Sequence, residues 1–230
     1  MTEDCIKMQT GFILINKPVG PTSHTIVNKL RHITGIKKIG HAGTLDPFAD
    51  GLLILAIGRE TTKKISQFVK LDKEYIADLI LGGATNTYDN EGEIIPNTSG
   101  KIPTEKEILD VLTNFTGKQE QIPPMFSAKK VQGQKLYELA RKGIEIERLA
   151  CPIEIFSIAL NSYSYPQLQI TVHCSSGTYI RSLGHDVGQS LGCGAYLNGL
   201  KRSKIGKFDI KESVKLEELS ANNWGEFLID

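Results

Sequence analysis

Residues 39–53 of the 230-residue chain read Ile-Gly-His-Ala-Gly-Thr-Leu-Asp-Pro-Phe-Ala-Asp-Gly-Leu-Leu. The glycines of this stretch loosen the backbone and let another molecule approach it closely. Because a proline disfavours helix at the residue before it, Asp46 is predicted to lie in an extended segment or a turn. The apolar run at residues 52–57 predicts a buried strand that would anchor this loop on a rigid support. An Asp-Pro pair most often only starts a turn, so the residues alone leave Asp46 as a candidate functional group.

The rest of the chain predicts a mixture of strands and helices. Apolar and β-branched runs predict strands at residues 12–15, 52–57, 75–81, 153–160 and 168–174. Helical periodicity predicts helices at residues 24–33, 61–69 and 180–191. Thr104 and Glu107 have the spacing of a capping box and predict the start of another helix. The elements interleave without regular β-α-β alternation, which favours an α+β fold over a doubly wound sheet. Residues 90–101 are predicted to form an exposed loop.

Composition narrows the class of protein. The chain has 40% hydrophobic residues, enough for one large or two modest cores. It has no apolar stretch near the roughly 20 residues of a membrane span, and its acidic start lacks the basic-then-apolar layout of a secretory signal. The cysteines are scattered, without a C-x-x-C pair or a histidine at ligand spacing, at Cys5, Cys151, Cys174 and Cys193. We therefore expect a cytoplasmic protein with reduced thiols, no zinc site and Cys174 packed in a core.

The net charge of +1 does not by itself indicate a nucleic-acid partner. Basic residues nevertheless gather in short clusters, namely Lys37-Lys38, Lys129-Lys130 with Lys135, Arg141-Lys142, and Lys201-Arg202 with Lys204 and Lys207. Each cluster alone is typical of an ordinary solvated face. Several clusters on one face would form a surface that follows phosphates, and the sequence does not show whether they converge.

Several blocks of the chain resemble the TruB family, the tRNA pseudouridine synthases that act on uridine 55. The blocks are Gly11-Phe12, Asn16-Lys17-Pro18 with Gly20, residues 40–47 with Gly51-Leu52-Leu53, Lys73-Glu74-Tyr75, residues 83–89 with Gly92, Gln121-Ile122-Pro123-Pro124, residues 127–130, Gly133, residues 136–138, Ala140-Arg141, residues 174–181, and residues 194–197 with Leu200. They run in the family's order from about residue 11 to about residue 203. The chain is identified on these blocks as a member of that family.

The resemblance implies the pseudouridine synthase fold, an α+β fold with a mostly antiparallel, bent mixed sheet, surrounding helices and a central RNA-binding cleft. It implies a catalytic domain over residues 1–210. The family commonly carries a further small C-terminal RNA-binding domain, often of the PUA type. Residues 211–230 are too few for a core of their own, so we expect a short C-terminal tail and no separate PUA domain.

The resemblance also implies the reaction and its catalytic residues. The family isomerises uridine 55 in the T-loop of tRNA to pseudouridine, with Asp46 matching its essential aspartate. Arg181 matches the arginine that pairs with this aspartate, and Tyr75 matches the tyrosine that stacks on the target uracil. A carboxylate that attacks must be ionised, and a nearby cation opposes the effect of burial on its pKa. Without the resemblance, Arg181 would read as a solvated arginine at a helix start.

Further residues match those that bind the RNA. His41 matches the histidine that fills the space left when the target uridine is flipped out of the loop. Tyr179 and Leu200 match residues that line the uracil pocket. Lys17, Lys129 and Lys130 are predicted phosphate or pocket contacts. No metal cluster, phosphate-binding glycine loop or dinucleotide motif is present in the sequence, so no cofactor is expected.

One departure from the family pattern follows the pocket leucine. The family often has two arginines and a threonine there, whereas this chain has Lys201-Arg202-Ser203. Lysine does not grip phosphate with the two parallel hydrogen bonds of arginine, so RNA contact at this position is expected to be weaker.

Three other readings remain open at this point. The first is an RNA-binding module or tRNA-folding chaperone, which would not need Asp46. The second is a glycoside-type hydrolase, which usually needs a second carboxylate, with Asp89 as the nearest candidate. The third is a guide-RNA-dependent synthase, which relies on a C-terminal domain. We favour a stand-alone monomeric enzyme whose partner is the T-arm of tRNA, with no membrane contact and no obligatory protein partner.

Overall fold

The computed structural model describes residues 9–127, 129–131, 133–140 and 142–229. Within this part the chain divides into two compact units. Unit 1 consists of residues up to 71 together with residues from 201 onward, and unit 2 consists of residues 72–200. None of the described helices is both long enough and apolar enough to cross a membrane.

Strands supply most of the regular structure. In the described residues they are β1 (Gly11–Lys17), β2 (Ile39–His41), β3 (Asp50–Ile57), β4 (Lys73–Leu81), β5 (Gly83–Thr85), β6 (Ile94–Pro96), β7 (Gly117–Gln121), β8 (Lys130–Val131), β9 (Gln134–Lys135), β10 (Cys151–Ser164), β11 (Gln167–Cys174), β12 (Ala195–Ile205), β13 (Phe208–Asp209) and β14 (Leu228–Ile229). The described α-helices are α1 (Ser23–Thr34), α2 (Arg59–Lys63), α3 (Ser66–Val69), α4 (Glu105–Asn114), α5 (Leu136–Ala140) and α6 (Ile180–Leu191).

Unit 1 is built on β1 and β3, which pair antiparallel over their whole length. The predicted buried strand at residues 52–57 is confirmed, since every residue of that run is fully buried. Alternate side chains of β1 and β3 enter two separate apolar clusters, one on each face. Strand β14 pairs with β1, β2 pairs with β3, and the second half of β12 pairs with β3 in parallel. Helix α1 covers one face of this sheet. Thr22 caps its N-terminus, with the side chain of Thr22 accepting a hydrogen bond from the amide of Thr25.

The C-terminal residues belong to the core of unit 1. The sequence predicted a short tail at residues 211–230, but Val214, Leu216, Leu219 and Trp224 are buried among side chains of β1, β3 and α1. The amide of Val214 donates to the carbonyl of Leu14 over 3.0 Å. This segment is too short for a core of its own, so it buries its apolar side chains in an existing one. Burial of such a side chain contributes about 1.5–3 kcal/mol.

Unit 2 holds the strand order β12-β4-β11-β10-β7, in which the pairs β4·β11, β11·β10 and β10·β7 are antiparallel. Helix α6 has the predicted bounds and buries Ile180, Leu183, Val187 and Leu191. The capping box of α4 is confirmed at both of its hydrogen bonds. Cys174 is buried as expected, and burial raises the pKa of its thiol to about 11.

The α+β class and the mostly antiparallel sheet are confirmed, and the predicted strands are all present. Two local predictions differ from the structure. The single helix predicted at residues 61–69 is two short helices, α2 and α3, with a break at residues 64–65. The predicted loop at residues 90–101 contains the exposed strand β6, which pairs with β5.

Candidate active site

The residues predicted for the site are distributed over both units. Unit 1 holds Lys17, His41 and Asp46, and unit 2 holds Tyr75, Lys129, Lys130, Tyr179, Arg181 and Leu200. Among the described residues, no group of three or more His, Cys, Asp or Glu side chains is placed to hold a metal ion.

Asp46 lies in the loop between β2 and β3. Its neighbours Leu45, Phe48 and Ala49 are buried, whereas Asp46 itself remains partly exposed. The amide of Ala49 donates to the carbonyl oxygen of Asp46 over 3.2 Å and closes a turn at Pro47. The turn predicted at Asp46 is therefore confirmed. The buried apolar neighbours anchor the loop and leave Asp46 as its partly exposed carboxylate.

Lys17, at the end of β1, binds the backbone of this loop through its side chain. Its side chain has no exposed surface. The ammonium group donates to the carbonyl oxygens of Ala49 at 2.6 Å, Pro18 at 2.9 Å and Pro47 at 3.5 Å. Because all three acceptors are backbone groups, Lys17 fixes the course of the chain on the C-terminal side of Asp46. This geometry favours a positioning role over the predicted phosphate contact, which would need an accessible ammonium group.

Burial lowers the pKa of Lys17 to about 8. The nearby carboxylates of Asp50 and Asp46 act in the opposite direction, and the charge of Arg202 lowers the pKa further. Desolvation is the largest of these effects, since taking an ammonium group out of water disfavours its charged form. Near neutral pH the charged form still predominates, so a buried cation lies close to the Asp46 carboxylate.

Two further buried polar side chains contact the loop. The hydroxyl of Ser23 accepts from the amide of Leu45 at 2.9 Å and donates to the carbonyl of the same residue at 3.1 Å. Arg202 donates to the carbonyls of Leu52 at 2.8 Å and Gly43 at 3.1 Å. The sequence placed Arg202 in a basic surface cluster, but only 1% of its surface is exposed. No local pattern in the sequence distinguishes it from its exposed neighbours.

Lys201, where the family often has arginine, is exposed and lies beside a carboxylate. Its ammonium nitrogen is 3.4 Å from Oδ2 of Asp50. Both side chains keep contact with solvent, so this pair contributes little to stability. The departure from the family pattern therefore affects a surface position of unit 1.

His41 ends β2 and is partly buried. Burial lowers the pKa of its imidazole, and the nearby charges of Arg202 and His24 act in the same direction. The ring is thus kept neutral near neutral pH. A neutral ring enters a stack of nucleic-acid bases without having to shed the hydration of a full charge.

Tyr75 lies on β4 opposite Val172 of β11. Side chains alternate along a strand, so Tyr75 shares its face with Ala77 and Leu79, which are buried. Tyr75 itself is only partly buried. An aromatic ring at the accessible end of an apolar face is suited to stacking on a planar base.

Arg181, in the first turn of α6, is 4% exposed, which excludes the reading as a solvated arginine. Its guanidinium donates to the carbonyl of Phe126 at 2.7 Å and to the carbonyl of Thr87 at 3.1 Å. Within unit 2 it also lies 3.3 Å from Oδ2 of Asp89. The predicted pairing with Asp46 joins residues of different units and stays a prediction.

The importance of Asp89 was missed from the sequence, which named it only as a candidate second carboxylate. Asp89 is 3% exposed and accepts from the hydroxyl of Thr87 at 2.6 Å and from the amide of Glu91 at 3.1 Å. Tyr88, which lies between Thr87 and Asp89 in the sequence, has a φ of 64°. Its ring stacks on His185 with the ring centroids 4.0 Å apart. A left-handed tyrosine is uncommon, and such strain concentrates at functional sites.

Tyr179 and Leu200 both lie in unit 2. Tyr179 precedes α6, and its amide and carbonyl are both bound by the side chain of Gln121, at 2.8 and 3.0 Å. Gln121 is buried at the end of β7 and so fixes the backbone from which Tyr179 projects. Leu200 is buried on β12. The sequence offered Gln121 only as part of a matched block.

The two lysines predicted near the RNA lie on an irregular part of unit 2. Lys129 is partly buried, and its ammonium group contacts the sulfur of Cys151. Lys130 begins β8, and its side chain lies outside the described residues, as does Arg141 of the neighbouring basic cluster. Whether these lysines contact phosphate stays a prediction.

Solved structures share this fold. A chain in the "Crystal Structure of a Cbf5-Nop10-Gar1 Complex" superposes with a TM-score of 0.72 at 29% identity, covering 92% of this chain and 54% of that one. A chain in the "Crystal structure of the archaeal box H/ACA sRNP Nop10-Cbf5 complex" gives 0.69 at 28% identity, covering 96% and 57%. The protein therefore spans somewhat more than half the length of these solved chains.

Residues 31–180 match the family model of the TruB family pseudouridylate synthase N-terminal domain. Fold and sequence together thus define a pseudouridylate synthase. Residues 181–227 match the model of the tRNA pseudouridylate synthase B C-terminal domain, which includes most of the residues predicted as a tail. The chain belongs to the TruB family, and the resemblance read from the sequence is confirmed.

Curated relatives agree with this assignment. A protein named tRNA pseudouridine synthase B from Protochlamydia amoebophila is 50% identical over 209 residues, covering 91% of this chain and 79% of its own. Its counterpart in Chlamydia abortus is 48% identical over 208 residues, covering 90% and 88%. A protein of the same name from Clostridium kluyveri is 46% identical over 219 residues, covering 95% and 75%.

Proposed function

We propose that this protein is a tRNA pseudouridine synthase that isomerises uridine 55 in the T-loop to pseudouridine, with Asp46 as the essential group. The observation that carries the proposal is the construction of the Asp46 loop. Buried side chains of Lys17 and Arg202 bind its backbone, while Asp46 itself is only partly buried. This loop belongs to a chain of the TruB family, and relatives sharing about half of its residues are named tRNA pseudouridine synthase B.

The reaction is an isomerisation that needs no energy source. The N1–C1′ bond of the uridine breaks, the base rotates within the pocket, and a C5–C1′ bond forms. The proton at C5 is lost and N1 gains one, so atoms and electrons balance. A carboxylate assists by attacking C6 of the base, by attacking C1′ of the ribose, or by removing the 2′ proton. Each route requires Asp46 to be ionised and fixed close to the target nucleotide.

Arg181 and Tyr75 complete the proposed catalytic set. The guanidinium of Arg181 is held by two backbone carbonyls and Asp89, so its position is determined before substrate binds. We assign it as the cation that acts with Asp46, as in the family pattern. Tyr75 is assigned to stack on the target uracil and to help proton transfer at C5.

The remaining predicted residues are assigned to RNA recognition. The target uridine is stacked inside the T-loop and has to leave it before any chemistry. His41, held neutral, is assigned to fill the vacated space. Tyr179, whose backbone is fixed by Gln121, and Leu200 are assigned to the uracil pocket. Lys129 and Lys130 are assigned to phosphates, and Lys17 is reassigned to positioning the Asp46 loop.

The glycoside-type hydrolase is less well supported than the synthase. That chemistry needs a second carboxyl group that exchanges a proton with the leaving oxygen. Asp89, the candidate for this group, is 3% exposed and lies 3.3 Å from Arg181. Its burial and its contact with the guanidinium withhold this carboxylate from a leaving group. Asp89 is therefore suited to orienting Arg181.

The experiment is to incubate the purified protein with an unmodified tRNA transcript and map pseudouridine by a specific chemical stop in primer extension. We expect one new stop, at position 55. The matched control transcript carries cytidine at that position and should give no stop. Stops elsewhere would overturn the site assignment. Tight RNA binding without any stop would instead favour the RNA-binding or chaperone reading.

A further inference from the structure

Arg202 binds both ends of the loop that carries Asp46. Its Nε donates to the carbonyl of Leu52 at 2.8 Å, inside β3, and its Nη2 donates to the carbonyl of Gly43 at 3.1 Å, just after β2. One planar guanidinium thus spans the entry and the exit of residues 43–52. Because the fork of donors is rigid, the separation of the two carbonyls is fixed together with their directions.

The backbone of Arg202 adds a second constraint at the same place. Arg202 pairs with Gly51 in the parallel register of β12 and β3. A Cβ at Gly51 would lie 2.4 Å from the carbonyl oxygen of Arg202, so the two strands approach as closely as a glycine permits. The side chain and the main chain of Arg202 therefore both contact the segment that follows the Asp46 loop.

Burying a guanidinium is unfavourable unless its hydrogen bonds compensate for the lost hydration. Arg202 is 1% exposed, and an apolar side chain there would leave both carbonyls without this donor. Its positive charge also acts on two residues beside the loop, since it lowers the pKa of both Lys17 and His41. The buried charge is thus concentrated around one functional loop, which is the arrangement expected of a group retained for that loop.

We propose that Arg202 is a positioning residue for the reaction: its guanidinium bridges Gly43 and Leu52 and so holds the loop in the conformation that presents Asp46 to the substrate. This role rests on the proposed function of Asp46. Arg202 does not touch the substrate and acts through the loop backbone. A lysine in its place has all its donors on one nitrogen at the end of a flexible stem, so it does not reproduce two carbonyls bound by separate nitrogens of a rigid group.

The test compares Arg202→Lys with Arg202→Gln, which buries no charge and has both of its donors on one nitrogen. Single-turnover rates and dissociation constants are measured separately on a T-arm stem-loop. We expect the rate to fall about 10- to 100-fold, as a misplaced catalytic group predicts, with the dissociation constant changed less than about twofold. Two controls are run beside them: Arg59→Lys, at an exposed arginine of the same unit, and Leu219→Ala, which weakens the same unit away from the loop.

Parent-like rates in both Arg202 variants would overturn the proposal, as would an equal loss of rate in Leu219→Ala. Amide hydrogen exchange supplies a readout that does not depend on activity. Exchange at residues 43–50 should quicken at least about tenfold in the Arg202 variants and stay unchanged at α1. Unchanged exchange in the loop would also overturn the proposal. If the parent forms no pseudouridine, the proposed function fails, and the exchange result still decides whether Arg202 holds the loop.

Discussion

Lys17 and Arg202 carry full positive charges and are nonetheless buried around the Asp46 loop. The sequence assigned Lys17 to a phosphate or pocket contact and Arg202 to a basic surface cluster, because lysine and arginine are rarely buried and nothing local marks an exception. Asp46, Tyr75 and Arg181 were assigned to catalysis by resemblance. The contact between Asp89 and Arg181 was not predicted, because it joins residues distant in sequence through the turn at Tyr88.

Lys17 gives the protein a pH dependence of stability with a definite sign. Its pKa is about 8 in the folded protein and 10.5 for an ordinary lysine. Between these values the unfolded chain binds the additional proton, so this group's contribution to the free energy of unfolding rises with pH. Urea unfolding at pH 7 and pH 10 should show a rise of about 2–3 kcal/mol in the parent relative to Lys17→Met.

Lys29→Met is the matched control for this measurement, because Lys29 is exposed on α1 of the same unit. Its unfolding free energy should follow that of the parent at every pH. If Lys17→Met also runs parallel to the parent from pH 7 to pH 10, Lys17 does not carry the buried charge that the structure assigns to it.

Arg181→Lys should lower the rate of pseudouridine formation about 10- to 100-fold despite the conserved charge, because lysine lacks the planar fork that positions a carboxylate. In this structure Nη1 contacts the Thr87 carbonyl and Asp89 while Nη2 contacts the Phe126 carbonyl, and lysine has no second nitrogen for this arrangement. Single-turnover kinetics on the stem-loop measure the effect. Arg59→Lys, at an exposed position, should be neutral. A rate within twofold of the parent for Arg181→Lys would remove Arg181 from the catalytic set.

At the scale of the elements, hydrophobic pattern was a good guide wherever one face of an element is buried. It located β1, β3, β4, β10, β11 and α6. It did not locate β12, whose sequence mixes Asn, Gly, Lys and Arg with apolar residues and hides its alternation. The break between α2 and α3 was also missed, since periodicity alone does not report where a helix stops.

The parallel contact between β3 and β12 gives a prediction about Gly51. Gly51→Ala places a Cβ 2.4 Å from the Arg202 carbonyl and should lower the free energy of unfolding by more than about 3 kcal/mol. Gly20→Ala is the matched control, because Gly20 has a similar φ of 107° against 112° and open space around its Cβ. Its free energy of unfolding should fall only by the cost of placing an alanine at a positive φ, about 1–2 kcal/mol. Equal losses in urea unfolding would show that the strand contact is unimportant.

At the scale of the whole molecule, the fold class followed from the order of elements and from the family blocks. The division into two units did not, because unit 1 is assembled from both ends of the chain. Residues 211–229 illustrate the reason. Their few apolar side chains are buried in a core that is built mainly by the first seventy residues. A local sequence pattern does not show that these distant residues will cover them.

Substrate recognition belongs to this scale. We expect a T-arm stem-loop to be modified nearly as fast as full-length tRNA, because the residues assigned to flipping and to the uracil pocket all serve the T-loop. Binding should weaken as salt rises, with a slope that reports the number of phosphates contacted. Turnover on the two substrates across a salt series tests both statements. A strong preference for full-length tRNA at every salt concentration would mean that contacts outside the T-arm dominate.

The most direct test of the account is pseudouridine formation by Asp46→Asn. The amide keeps the shape of the side chain and removes its charge, so the loop held by Lys17, Ser23 and Arg202 should stay in place. Primer extension after chemical modification of uridine-55 stem-loop RNA should give a stop with the parent and none with the variant. RNA binding should be retained in both. Substantial pseudouridine formation by Asp46→Asn would contradict the assignment of Asp46 as the essential group.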